Sequence, residues 1–315
     1  MADKVLVFSR FAKSMLARFG EKFELLETGG KPANEVFSAD ELADVRALIT
    51  MGAQPLGRET FGLLPSLGAV VCYGTGYDGV DLKAAAERGI AIGNSPAANA
   101  SAVADLAMTL LLALMRRVIP ADAYLRSGGW SGAKPSPLLK PPRGMTGAKV
   151  GVYGMGEIGR KIAARVAPFE TEVAYHSRSQ HDVPYRYIGD LGELVDWSDV
   201  LLIAVRAGSD TQRIIDAAML KRLGKDGVLV NISRGSVIDQ PALVAALADG
   251  TIAGAGLDVF EQEPYAPDKL SELPNVVLTP HIGGHTLDAH VAMQDCVIAN
   301  LAAFFAGREL PYKVA

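Results

Sequence analysis

The chain has 315 residues, more than one hydrophobic core usually serves, so two domains are expected. Apolar residues make up 49% and charged residues 21%, the balance of a globular protein rather than a disordered or fibrous one. A net charge of −4, with no Lys/Arg cluster longer than a pair or two, excludes a nucleic-acid surface as the main function.

The opening segment, MADKVLVFSR, has too short an apolar run for a signal peptide and reads as a first strand. Short buried strands are expected at 4–8 (KVLVF), 46–50 (RALIT), 69–73 (AVVCY) and 90–92 (IAI). Helical patterns such as SADELADVR and DLKAAAERG lie between them. The alternation predicts a small parallel α/β unit of the flavodoxin-like kind. A helix follows from Ala100 to Val118, with Asn99 or Ser101 as its cap. Its most apolar part, 106–115, is too short to span a bilayer. Residues 125–147 are dense in Gly, Pro and Ser and lack a period, which predicts a functional or interfacial loop.

From Ala148 a second α/β series begins, with strands expected in KVGVYG, TEVAYH, DVLLIAV, GVLVNIS, IAGAGLDVF and NVVLTPH. That succession is what a doubly wound dinucleotide fold requires. A last helix from Asp288 to Phe305 is expected to return to the first unit. The fold class is thus α/β with two Rossmann-like domains: a smaller substrate domain, 1–98 plus 286–315, and a nucleotide domain, 99–285. Cys72 and Cys296 lack metal-ligand or CxxC spacing, and read as buried thiols in a reducing cytoplasm.

Gly154, Gly156 and Gly159 in KVGVYGMGEIGRK have GxGxxG spacing between an apolar strand and an amphipathic helix, the context this motif needs. Gly154 permits the turn, Gly156 admits a pyrophosphate close to the backbone, and Gly159 allows helix and strand to pack. Met155, Glu157 and Ile158 complete the phosphate cradle, whose free N–H groups face the anion. An acid commonly ends the next strand and holds the ribose 2′-hydroxyl of NAD. Here that place is held by His176, followed by Ser177, Arg178 and Ser179. A guanidinium and two hydroxyls suit a 2′-phosphate, so NADP(H) is predicted, with NAD(H) bound more weakly. The alternative is that Arg178 is only a solvated turn residue.

Arg234, Glu263 and His281 stand at the ends of late strands, where ligands of open α/β sheets bind. Histidine is the sensible proton donor near neutral pH, a neighbouring carboxylate would favour its imidazolium, and an arginine would hold a substrate carboxylate. Each also has a structural alternative: Arg234 paired with Asp239, Glu263 as a surface acid beside Pro264, His281 as a satisfied core histidine. With GMGEIG, NISRGSVID, GLDVFEQEP and TPHIGG in this order, the sequence resembles the D-2-hydroxyacid dehydrogenase family. YGTGYDGVDLKAAAERGIAIGN and NASAVADLAM extend the resemblance upstream, so it covers most of the chain from Ala69 onward.

The resemblance implies reduction of a small 2-oxo acid to the D-2-hydroxy acid by hydride transfer, with His281 as proton donor. It also implies that backbone N–H groups of Thr75 and Gly76 join Arg234 and His281 in binding substrate. Ile232 and Ser233 are then expected beside the nicotinamide ribose, and Asp258 and Gly283 at the nicotinamide end. Val205 and Arg206 end a strand where the family commonly has proline, and Arg206 is either a second phosphate ligand or a lip residue. Trp130 either reaches a neighbouring subunit's active site or packs at a dimer interface, and a homodimer is expected. His285 replaces a small residue common in the family and would reshape the pocket. The strand end 176–179 and the Glu–His pair favour the glyoxylate/hydroxypyruvate reductase branch. The alternatives are an enzyme for a larger 2-oxo acid and a corepressor-like binding protein with vestigial activity. No nucleic-acid or membrane partner is expected.

Overall fold

The computed structural model describes residues 3–132, 141, 143–265 and 268–314. They fall into two compact units, Met1–Asn99 with Gly284–Ala315, and Ala100–Gly283. Among the described residues no helix is long and apolar enough to cross a membrane.

The first unit is built on a five-stranded sheet in the order β2-β1-β3-β4-β5. Its strands are β1 (Lys4–Val7), β2 (Glu24–Glu27), β3 (Ala47–Thr50), β4 (Ala69–Cys72) and β5 (Ala91–Gly93), and every pairing is parallel. This is the flavodoxin-like order, with its reversal between β1 and β3. Central strands β3 and β4 are buried along their whole length, as a sheet covered on both faces demands. Edge strand β2, ELLE, was not expected from sequence: its ends are exposed and its middle only half-buried, so it shows no apolar run. Ser38 and Glu41 form a reciprocal capping box on the helix Ala39–Ala43. The helix Leu287–Phe305, capped by Thr286, packs on β4 in this same unit.

The second unit carries a seven-stranded sheet in the order β12-β11-β10-β9-β6-β7-β8. Its strands are β6 (Lys149–Tyr153), β7 (Glu172–His176), β8 (Arg186–Tyr187), β9 (Val200–Ile203), β10 (Val228–Asn231), β11 (Gly254–Leu257) and β12 (Val276–Leu278). Again all pairings are parallel. The order is doubly wound, with its switch point between β6 and β9. Alternate residues feed two cores: Val150, Val152, Leu202 and Val230 meet the helices Ala100–Met115 and Glu157–Val166. Leu201, Ile203, Leu229 and Leu257 meet the helices Leu191–Trp197 and Gln240–Ala248 on the other face. The two-residue β8 is a further strand beyond the six expected from sequence.

The helix expected to run to Val118 stops at Met115. Arg117, with φ +53°, turns the chain, and a separate helix runs Val118–Arg126. The loop expected over 125–147 is therefore helical at its start and holds a 3-10 turn at Gly129–Ser131. Its residues 133–140 and 142 lie outside the described residues.

Candidate active site

At the switch point, Gly154 has φ +101°, and a side chain there would lie 2.7 Å from the Ala204 carbonyl and the Val205 amide nitrogen. A methyl group at Gly159 would overlap the Gly154 carbonyl, so helix and strand touch through these two glycines. Gly156 differs: a Cβ there meets nothing within 4 Å. Its peptide opens onto free space at the amino end of the helix Glu157–Val166, a cradle shaped for a phosphate.

Beyond β7 the chain bends back sharply. His176 Nδ1–H donates to the Ile188 carbonyl at 3.0 Å, and Ser177 Oγ donates to the Ser179 carbonyl at 2.6 Å. Arg178 and Ser179 are exposed, and Arg178 makes no hydrogen bond or ion pair among the described residues. β9 stops at Ile203, so Val205 and Arg206 lie beyond the strand they were expected to end; Arg206 is exposed and its carbonyl accepts from the Thr211 hydroxyl at 3.4 Å.

The adjoining strands β10, β11 and β12 bring the late polar residues to one end of the sheet. After β10, Ile232 and Ser233 are buried and Arg234 is half-buried. Fully buried Asn231 shapes this turn: its Oδ1 accepts the Ser233 N–H at 3.0 Å and its Nδ2 donates to the Arg234 carbonyl at 2.9 Å. A side chain on Gly235 would overlap the backbone of Phe260, so the turn carrying Arg234 is pressed against the segment leading to Glu263. Asp239 caps the helix Gln240–Ala248, accepting the Ala242 N–H at 3.1 Å.

His281 Nδ1 and Glu263 Oε2 are 2.6 Å apart, and Glu263 Oε1 accepts the Phe260 N–H at 2.9 Å. The hydrogen bond to Glu263 raises the His281 pKa above its ordinary value, against an opposing effect of burial. Burial pushes Glu263 up, but the hydrogen bonds from His281 and Phe260, with the charges of His281 and Arg234, bring it below the usual carboxylate range. Arg234 thus lies within electrostatic reach of both partners, and it works against protonation of His281. His281 itself has φ +53°, a left-handed conformation uncommon for a residue with a side chain.

Asp258, 1% exposed, holds this turn from behind. Its Oδ1 accepts from the Thr279 hydroxyl at 2.7 Å and the Ile282 N–H at 2.8 Å, and its Oδ2 from the Gly283 N–H at 2.8 Å. Burial raises the pKa of this carboxyl despite those bonds.

In the first unit, Gly74 has φ +103°, and its carbonyl accepts the Ser95 N–H at 2.8 Å. The Thr75 hydroxyl donates to Asn99 Oδ1 at 3.1 Å, and its carbonyl accepts from Asn94 Nδ2 at 2.8 Å. A side chain at Gly52 would overlap the Gly76 carbonyl, so the loops after β3 and β4 pack backbone to backbone. His285 Nδ1 lies 2.8 Å from His290 Nε2, whose ring in turn bonds the Tyr73 hydroxyl at 2.8 Å. Trp130 is 79% exposed.

The profile described as D-isomer specific 2-hydroxyacid dehydrogenase, NAD binding domain, matches residues 108–283. The chain belongs to this family. It is 37% identical to hydroxyphenylpyruvate reductase of Plectranthus scutellarioides over 307 residues, 97% of each chain. It is 38% identical to glyoxylate/hydroxypyruvate reductase A of Arabidopsis thaliana over 92% of each chain. A solved NADPH-dependent glyoxylate/hydroxypyruvate reductase of Sinorhizobium meliloti, in complex with NADP and malonate, superposes with a TM-score of 0.92 at 37% identity. That match covers 100% of this chain and 97% of the other.

In this D-2-hydroxyacid dehydrogenase, Asn231 and Thr279 shape the site without having been read from sequence. Asn231 sits at the last position of β10, where a buried strand otherwise runs apolar, VLVN. A buried amide at a strand's carboxyl end needs partners, and that was the available signal. Thr279 is the first residue of TPHIGG, but its type gave no sign of the bond to Asp258.

Proposed function

We propose that this dehydrogenase catalyses NADPH-dependent reduction of a small 2-oxo acid, glyoxylate or hydroxypyruvate, to the D-2-hydroxy acid. The observation that carries the reading is the 2.6 Å pair of Glu263 and His281 with Arg234 in electrostatic reach, at strand ends beside a glycine cradle. NADP(H) is the cofactor, as in the Sinorhizobium meliloti complex. Met155 and the backbone of Gly154, Gly156, Glu157, Ile158 and Gly159 hold its pyrophosphate, and Arg178 with His176, Ser177 and Ser179 its 2′-phosphate end. Val205 and Arg206 flank the phosphates, Ile232 and Ser233 the nicotinamide ribose, and Asp258 and Gly283 the ring's carboxamide side. Reduced nicotinamide, when bound, supplies the hydride that reaches the carbonyl carbon.

The protein's own residues do the rest. Arg234 binds the substrate carboxylate and polarises the carbonyl. For Thr75 and Gly76 the assigned role is N–H donation to that same carboxylate. His281, kept protonated by Glu263, gives its proton to the carbonyl oxygen as the alcohol forms. The net change consumes one 2-oxo acid, one NADPH and one proton.

The same reading includes a homodimer, supported by exposed Val118, Ile119, Leu125 and Trp130 on the second unit. It places the enzyme in a reducing cytoplasm, supported by two buried free cysteines, of which burial pushes Cys72 up to about 12. The test is a panel of glyoxylate, hydroxypyruvate, pyruvate and hydroxyphenylpyruvate, each assayed with NADPH and with NADH. Fast NADPH oxidation with glyoxylate and hydroxypyruvate is expected. Absence of turnover with every acid would leave a binding protein instead.

A further inference from the structure

Tyr175 lies in the middle of the second unit's core, 0% exposed, on β7. Packing alone would be served by phenylalanine, and a buried hydroxyl is costly unless it is bonded. This hydroxyl reaches out of the core to a residue six positions on: it accepts the His181 N–H at 2.8 Å and donates to the His181 carbonyl at 3.1 Å. One phenol oxygen therefore cinches both backbone groups of His181 and closes the loop 176–181 on itself. Two further stitches hold it. Tyr187 Oη donates to the Ser177 carbonyl at 3.2 Å, from the neighbouring strand β8. Arg160 Nη2 donates to His181 Nδ1 at 3.2 Å, while its Nε donates to the Met155 carbonyl at 3.3 Å, tying the far end of the loop to the glycine cradle.

We propose that Tyr175 is a positioning residue for cofactor selectivity: its hydroxyl pre-closes the loop 176–181, so that Ser177, Arg178 and Ser179 meet the 2′-phosphate without first having to order. The inference rests on the NADP(H) reading above and adds to it a residue that never touches the nucleotide. A loop held in its binding shape spares the ordering cost that a free one meets at the moment of binding. The gain falls on ligands that carry a 2′-phosphate, because the loop that the Tyr175 hydroxyl closes is the one that carries Ser177, Arg178 and Ser179.

Tyr175→Phe keeps the ring and its packing and removes only the hydroxyl. Calorimetric titration with NADP⁺ and adenosine 2′,5′-bisphosphate, against NAD⁺ and AMP, reads the effect without turnover. Affinity for the two 2′-phosphate ligands is expected to fall about five- to tenfold as both bonds to His181 are lost, with NAD⁺ and AMP within about twofold. Amide hydrogens at 177–181 are expected to exchange faster in the nucleotide-free variant. Equal loss for both ligand classes, or no loss for either, overturns the proposal. If Tyr175→Phe fails to fold, Tyr187→Phe removes the separate bond to Ser177 and is read in the same way. The two levels separate cleanly: an unchanged NADP⁺ preference in Arg178→Ala sinks the cofactor reading, whereas a lost preference there with none in Tyr175→Phe sinks only this inference.

Discussion

Glu263 Oε2 stands 2.6 Å from His281 Nδ1, while the other oxygen of the same carboxylate is fixed by the Phe260 N–H at 2.9 Å. The carboxylate is thereby oriented, and it holds the imidazole with Nε2 as the remaining reactive nitrogen. Because the Glu263 hydrogen bond raises the His281 pKa, the acid form persists above the ordinary histidine value of about 6.5. Reduction, which needs that acid, is expected to hold its kcat/KM below this value and lose it as pH rises through the raised pKa. Glu263→Gln keeps a hydrogen-bonding group but removes the charge, so the descending limb should move to lower pH. A pH profile of kcat/KM for both forms checks this, and an unmoved limb would detach Glu263 from the titration.

His281→Ala is expected to lower turnover by about 10²- to 10⁴-fold, the usual contribution of a positioned general acid. NADP⁺ affinity should change little, as the phosphate cradle lies around Gly154–Gly159 and Arg178. Loss of nucleotide binding on calorimetric titration would make the histidine structural.

Arg178→Ala should erode the preference for NADPH over NADH by roughly 1.5–3 kcal/mol, the worth of one charge-assisted hydrogen bond. The side chain is exposed and has no partner among the described residues, so stability should stay nearly constant. The ratio of kcat/KM for the two cofactors reads the first effect and a denaturant melt the second.

Asn231→Ala removes the two bonds that shape the Arg234 turn, at 2.9 and 3.0 Å, and leaves the Ser233 N–H and the Arg234 carbonyl without those partners. A cost of about 1–3 kcal/mol is expected in denaturant unfolding of this unit. kcat/KM should fall further than stability alone requires, since Arg234 loses its bearing. Full activity in a destabilised variant would show that Asn231 serves folding only.

The central strands were legible because β3, β4, β9 and β10 are buried on both faces, and their apolar runs stand out between glycines and helical patterns. The edges were not: β2 reads ELLE, and β8 has only two residues, so neither carries a run or an alternation to detect. The break at Arg117 was hidden for a different reason. Nothing in MRRVIP marks a left-handed residue, and Pro120 is tolerated in the first turn of the helix Val118–Arg126. At the site, chemistry-bearing types at strand ends singled out Arg234, Glu263 and His281. The residues that aim them are ordinary by type. Asn231, Thr279 and Tyr175 become visible only when their hydrogen bonds to backbone two to six positions away, or to Asp258, are traced.

The most direct test of the account follows one hydrogen. NADPH deuterated at the transferring carbon is incubated with the enzyme and hydroxypyruvate, and the product is analysed by mass spectrometry and chiral chromatography. The predicted product is D-glycerate carrying one deuterium on carbon 2, formed at a rate that collapses in His281→Ala. Unlabelled glycerate, the L-isomer, or no oxidation of NADPH would contradict the assignment of Arg234, Glu263 and His281 to hydride-coupled reduction of a 2-oxo acid.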